Sequence, residues 1–274
     1  MSGAPTLIGL PYDASSSFLR GSAGAPPLIR AAIHSPAANG WAHGLRDVLG
    51  EGGLTDAGDL ALPPAPEARA LIEAGVAAVI GGGGRPIALG GDHSVTYPAV
   101  RGVSRSIAPL TILHIDAHAD LYDVFDGDRH SHACPFARIM EEGLAVRLVQ
   151  VGIRTMNRHQ RGQADRFGVE VIDMAAWLAG TRPRTSGKVY LSIDLDGLDP
   201  AFAPGVSHQE PGGLATREVL SLIQELGGGL VGADVVEYNP DRDVGGMTAT
   251  VAAKIVKEIA GRMMAEDRVT AETG

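Results

Sequence analysis

Residues 110–120 read Leu-Thr-Ile-Leu-His-Ile-Asp-Ala-His-Ala-Asp, LTILHIDAHAD. The first half, Leu110–Ile115, is a largely apolar run of strand length, the pattern of a parallel strand buried on both faces. The second half turns abruptly polar. In extended backbone, residues i, i+2 and i+4 face one side, so Asp116, His118 and Asp120 can converge with small alanines between them. A buried strand that ends in acids and imidazoles points to an open α/β sheet, where sites collect beyond the carboxyl ends of the strands.

Working outward, the same pattern repeats. Thr6–Leu10, Pro86–Leu89, Arg147–Val151, Val189–Ile193 and Leu230–Val236 are expected as further strands. Helical patterns over Ala25–Ile33, Glu67–Ile80, Val95–Val103, Pro135–Glu142, Arg158–Phe167, Thr216–Glu225 and Met247–Met263 alternate with them. This order predicts a three-layer α-β-α sandwich with a mostly parallel sheet. The 274 residues are read as a single domain, 1–274, with a polar tail over 265–274 expected to fray.

Two other strands end in chemistry. Gly90-Gly91-Asp92-His93-Ser94 follows Pro86–Leu89, and Asp194-Leu195-Asp196 follows Val189–Ile193. With the first segment they offer four carboxylates and two imidazoles: His93, Asp116, His118, Asp120, Asp194 and Asp196. So many like charges in one cleft raise each other's pKa and destabilise the fold unless cations compensate them. Two divalent ions would do so. Oxygen-rich ligation without a thiolate favours Mn²⁺ over structural Zn²⁺, although other divalent metals fit the same donors. A metal pair of this kind activates water as a nucleophile at neutral pH.

Rival readings find less support. The glycine run Gly81–Gly84 lacks the Lys-Ser/Thr of a phosphate loop. An EF-hand over Asp194–Asp199 would need a ligand where Leu198 stands. The net charge is −9 and no Lys/Arg-rich block occurs, which argues against nucleic acid and suits a cationic substrate. The lone cysteine, Cys134, cannot form an internal disulfide, so a reducing compartment is expected, read here as the cytoplasm. Neither a leader nor a membrane span is expected: the most apolar stretch, Ala70–Ile80, is short and carries Glu73.

The segments GGDHS (90–94), DAHAD (116–120) and SIDLDGLDPAFAPG (192–205) together resemble the signature of the ureohydrolases, the arginases, agmatinases and their relatives. The resemblance extends from about Leu7 to Met263. HSHACPFARIMEEG (130–143), GVSHQEPGGL (205–214), GADVVEYNP (232–240) and GMTATVAAK (246–254) are most similar to plant-type arginases. It implies the arginase-like fold, two Mn²⁺ per subunit on the same six ligands, and a homotrimer or homohexamer. It also implies hydrolysis of a small cationic guanidino compound to urea and an amine. L-Arginine going to L-ornithine is favoured, with agmatine going to putrescine, or another guanidino acid, as the alternative.

By the same resemblance, Glu237 pairs with the substrate guanidinium and His132 is the catalytic-loop histidine, a proton shuttle for which His130 competes. Asp120 would orient the attacking nucleophile. Arg129, in the loop before His132, is expected to meet the carboxylate of arginine, and His208 and Glu210 to support only the site or a subunit contact. Cys134 and Pro135 stand where plant arginases tend to carry serines, which leaves the part of the substrate beyond the guanidinium open. A related metal-dependent deacetylase would have one zinc and fewer carboxylates. A catalytically inactive relative would have lost ligands, and none is missing here.

Overall fold

The computed structural model describes the backbone of residues 3–272 and the side chains of residues 3–265. Its elements follow one another as β1 Pro5–Gly9, α1 Ala25–Ile33, β2 Trp41–Ala42, β3 Arg46–Asp47, β4 Thr55–Asp59, α2 Ala68–Gly81, β5 Arg85–Leu89 and α3 Thr96–Ser104. Then come β6 Leu110–Ile115, α4 Pro135–Glu141, β7 Arg147–Ile153, α5 Arg158–Phe167, β8 Glu170–Asp173, α6 Met174–Leu178, β9 Lys188–Asp194, α7 Thr216–Gln224, β10 Gly229–Val236 and α8 Met247–Glu272. The expected strands and helices are all present, with ends within a few residues except for the longer α8. The expected fraying from Ala265 onward falls on residues whose side chains lie almost wholly outside those described.

Eight strands form one sheet in the order β4-β1-β5-β10-β9-β6-β7-β8. Every pairing within it is parallel. Parallel strands need crossovers, and the helices provide them on both faces. Period-two alternation sorts the strand side chains between two cores. Leu7, Ile87, Leu89, Leu113 and Ile115 pack with α1, α7 and α8, whereas Ile8, Ala88 and Ile112 pack with α2, α3 and α4.

The two outer strands escaped the sequence reading for one reason. The edge strand β4, Thr-Asp-Ala-Gly-Asp, is exposed along its whole length, and β8 at the other edge is only four residues long. Neither carries an apolar run, because an edge strand is solvated on one side and disfavours sticky residues there. Arg30 from α1 pairs with both Asp56 and Asp59 on β4, which fixes the edge by charge rather than by apolar packing.

The strand order also places the site. The chain leaves β5, skips two positions to form β6, and returns later to fill the gap with β9 and β10. Four neighbouring central strands, β5, β10, β9 and β6, thus end side by side, and each hands over to a chemical segment: His93, Glu237, Asp194–Asp196 and Asp116–Asp120 respectively. A crevice at such a reversal of strand order is where α/β sheets bind ligands. Among the described residues no helix is long and apolar enough to cross a membrane.

Candidate metal centre

Beyond β6 the chain does not stay extended. Asp116 is the last regular residue, its N–H donating to Val151 O at 3.1 Å. Asp120 adopts a left-handed φ of 49°. Alternation alone therefore does not place Asp120: a turn brings its Oδ2 within 3.1 Å of His93 Nδ1. Glu237, after β10, is also left-handed, with φ 64°. Non-glycine residues in this region are costly and persist where the surroundings hold them, often at functional sites.

The carboxylates divide between two imidazoles. His93 Nδ1 faces Asp116 Oδ2 at 3.2 Å, Asp120 Oδ2 at 3.1 Å and Asp194 Oδ2 at 3.1 Å. His118 Nδ1 faces Asp196 Oδ2 at 3.1 Å and Asp116 Oδ1 at 3.4 Å. Asp116 thus offers one oxygen to each. Asp194 and Asp196, expected to converge on one point, serve opposite imidazoles, because a 3-10 turn over Leu195–Gly197 follows β9 directly. Close approach of backbone fixes that turn: a Cβ on Gly197 would lie 2.9 Å from Asp116 N.

These residues fit a pair of cations. His93 Nδ1 is buried without a hydrogen-bond partner while three carboxylate oxygens surround it. Donors ~2.1–2.2 Å from one ion and at right angles about it stand ~3.0–3.1 Å apart, which is the spacing found here. Burial, with the charges of Asp196 and Asp116, pushes the Asp194 carboxyl well above the usual carboxylate range. Burial also pushes Asp196 up to about 6, against the opposing pull of His118. Positive charge between the two carboxylates would relieve both.

The ligands are themselves held. His93 Nε2 lies 3.0 Å from Ser192 Oγ, and Ser192 donates to Asp234 Oδ1 at 2.6 Å. Asp234, fully buried, also accepts from Tyr190 and Thr96. Ser192 therefore accepts from His93 Nε2–H, which leaves Nδ1 as the lone-pair nitrogen. His114 stands close enough to His93 and Asp116 to join a three-residue metal group. Both its ring nitrogens are already engaged, however: Nε2 on Asp116 Oδ2 at 2.7 Å and Nδ1 on Gln150 Nε2 at 3.0 Å. It orients Asp116, as its place inside β6 suggests.

A cavity of about 240 Å³ opens beside the His118 cluster, lined by Asp120, His132, Asp194, Asp196, His208, Glu210 and Glu237 among others. His132 Nδ1 lies 2.8 Å from Glu237 Oε1, which also accepts from His93 N at 2.9 Å. Ser17 approaches His132 Nε2 from the other side, with its N–H at 3.2 Å and its Oγ at 2.7 Å. Burial pulls the His132 pKa down, but the adjacent Glu237 carboxylate outweighs it and raises the pKa to about 9. The same pairing holds Glu237 below its ordinary value in spite of burial.

Asp92 ties this corner together. Its buried carboxylate accepts from Ser15 N at 3.0 Å and Ser16 Oγ at 3.2 Å, and so seats the N-terminal loop that carries Ser17. The loop crosses so near Gly91 that a Cβ there would lie 1.9 Å from Tyr12 O. Residues 15–18 read SSSF and residues 90–92 GGD, and nothing local in either run links Ser17 or Asp92 to His132.

Two expectations need correction. Arg129 does not line the cavity; it is half exposed, and its guanidinium is taken by Asp123 at 2.6 Å and Glu141 at 2.9 Å. Two carboxylates nearby in the same loop and in α4 compete successfully for a surface cation. His130 also lies outside the cavity lining, with its ring stacked on Tyr97 at 5.7 Å. Cys134 is buried in packing, and burial raises its thiol pKa to about 12.

Carboxylates and imidazoles gathered at strand ends, next to a cavity with a buried His–Glu pair, are the equipment of a metal-dependent hydrolase. Known proteins narrow that class. The model of the Arginase family matches residues 4–261. A relative from Arabidopsis thaliana, "Arginase 1, mitochondrial", is 47% identical over 94% of this chain and 80% of its own length. Proclavaminate amidinohydrolase of Streptomyces clavuligerus is 35% identical over 92% of this chain and 86% of its own. The solved structure of an arginase from Medicago truncatula superposes with a TM-score of 0.92 at 43% identity, covering 96% of this chain and 88% of that one. The chain belongs to the arginase family. It is a hydrolase acting on the guanidino C–N bond, in a family whose chemistry depends on metal.

The relatives overturn the expected cytoplasmic location. Plant arginases that this chain matches are mitochondrial or chloroplastic by name. A single cysteine separates oxidising from reducing compartments but not one reducing compartment from another, so it could not carry that reading.

Proposed function

We propose that this chain, as one catalytic domain, hydrolyses L-arginine to L-ornithine and urea on two Mn²⁺ ions. One ion would be held by His93, Asp116, Asp120 and Asp194, and the other by His118, Asp116 and Asp196. The observation that carries this reading is the pair of imidazole nitrogens, each faced by carboxylates and sharing Asp116, with His118, Asp120, Asp194 and Asp196 on the wall of the cavity that also holds Glu237 and His132. When bound, such a pair supplies Lewis acidity and lowers the pKa of coordinated water toward neutrality.

The chain's own residues do the rest. Both hydrogen bonds to Glu237 fall on Oε1, which leaves Oε2 to accept guanidinium N–H groups. Asp120, on both the His93 cluster and the cavity, orients the attacking oxygen. His132 moves the proton. A lone pair on Nε2 suits the Ser17 N–H, whereas Glu237 favours the imidazolium, and Ser17 Oγ can donate to the first form and accept from the second. Both protonation states thus have a partner in place, as a group that takes up a proton and delivers it to a leaving amine requires.

Agmatine remains the second reading, because neither Lys nor Arg lines the cavity to meet the carboxylate that arginine has and agmatine lacks. A homotrimer or homohexamer accompanies the proposal, and mass measurement in solution tests it. The decisive experiment is urea release from arginine, agmatine, 4-guanidinobutyrate and free guanidine by Mn²⁺-loaded protein, with metal counted per subunit. Urea from none of them, or one tightly held ion, would sink the proposal.

A further inference from the structure

We propose that Glu210 is the specificity-determining carboxylate of this cavity: it selects guanidino compounds that carry a protonated amine at the end remote from the guanidinium, and it disfavours guanidino acids. This rests on the ureohydrolase reading above and adds what the far end of the substrate must be.

Glu210 lines the same cavity as Glu237 and His118. The other carboxylates there are engaged: Asp120, Asp194 and Asp196 face imidazoles, and Glu237 holds His132 and the His93 N–H. Glu210 is different. Its nearest ionic partner is His118 Nε2 at 3.7 Å, beyond hydrogen-bond reach, and its side chain is 38% exposed. The carboxylate has only this loose ion pair, whereas its backbone is held firmly. Arg154 donates to Glu210 O from Nε at 2.9 Å and from Nη2 at 2.5 Å, and the same guanidinium reaches Asp196 O at 2.7 Å. Asp199 Oδ2 then holds the next turn through Gly212 N at 2.6 Å. A loosely paired negative charge is thereby mounted at a set distance from Asp196, so little ordering cost remains when a ligand arrives.

Among the described residues neither Lys nor Arg lines the cavity, and Arg129 is occupied by Asp123 and Glu141. An ammonium at the far end gains a charge-assisted partner, while a lone carboxylate there meets Glu210 as a like charge. A contact made equally in the ground state and the transition state appears in KM rather than in kcat.

The test is urea release by Mn²⁺-loaded wild type, Glu210→Gln and Glu210→Lys on arginine, agmatine and 4-guanidinobutyrate, with bound metal measured in each. Wild type is expected to favour arginine and agmatine over 4-guanidinobutyrate by about tenfold or more in kcat/KM. Glu210→Gln should raise KM for the two amines about tenfold and leave KM for 4-guanidinobutyrate unchanged. Glu210→Lys should shift the preference toward the acid. Equal losses on all three substrates, or loss of bound metal, would overturn the proposal, because Glu210 would then act through His118. Urea from 4-guanidinobutyrate alone overturns the proposal but leaves the ureohydrolase reading standing. Urea from none of the three overturns that reading and the proposal with it.

Discussion

The two imidazole clusters share Asp116 yet differ in almost everything else. His93 is fully buried, faces three carboxylates, and has its second nitrogen fixed through Ser192 to the buried Asp234. The His118 side chain is 25% exposed, and its second nitrogen has only Glu210 nearby, at 3.7 Å. One cluster is sealed beneath the sheet ends and braced from behind; the other forms part of the cavity wall. Outer partners raise the basicity of an imidazole and hold its tautomer, so on the proposed reading the sealed cluster would retain an ion and the open one would face substrate.

Asp116→Ala should break the comparison altogether. Removing the shared carboxylate is expected to empty both clusters and lower turnover ~10³-fold or more, as loss of an activated nucleophile does. Metal analysis beside a urea assay checks it; one ion retained at full occupancy would show that Asp116 is not shared.

His132→Ala acts on the open side only. It should lower kcat ~10²-fold, the range of general acid–base contributions, with KM little changed and metal content intact. The same defect in His130→Ala but not in His132→Ala would move the shuttle to a residue the structure places outside the cavity.

Asp234→Asn probes the bracing. It should weaken the ion at His93 by ~10–100-fold while the ion at His118 keeps its affinity. Chelator titration followed by metal counting separates the two, and parallel loss of both ions would mean that Asp234 supports the fold rather than His93. The smallest effect is expected from Arg129→Ala: a change in KM for arginine of less than about twofold and a stability loss within ~1 kcal/mol, as for exposed ion pairs. A large rise in KM would return Arg129 to the substrate.

Much of this was legible in the chain. Leu110–Ile115, Val189–Ile193 and Pro86–Leu89 announce buried parallel strands by their apolar runs, and each passes directly into its ligands. β4 and β8 were not legible, because edge strands carry no apolar signal. Ser17, Asp92 and Asp234 were passed over because their partners lie between 42 and 138 residues away.

The sequence by itself determined the sheet's central strands, the residue types at their ends and the family chemistry those types imply. All of that is written in local runs whose period and polarity report burial directly. Only the tertiary structure decided which carboxylate serves which imidazole. Alternation fixes the side toward which a residue points but not its partner, and the 3-10 turn after Asp194 and the left-handed Asp120 redirect side chains that the pattern would have aligned. The fate of Arg129 was settled in the same way: a mobile cation pairs with whichever carboxylates the fold brings nearest, and here they are Asp123 and Glu141.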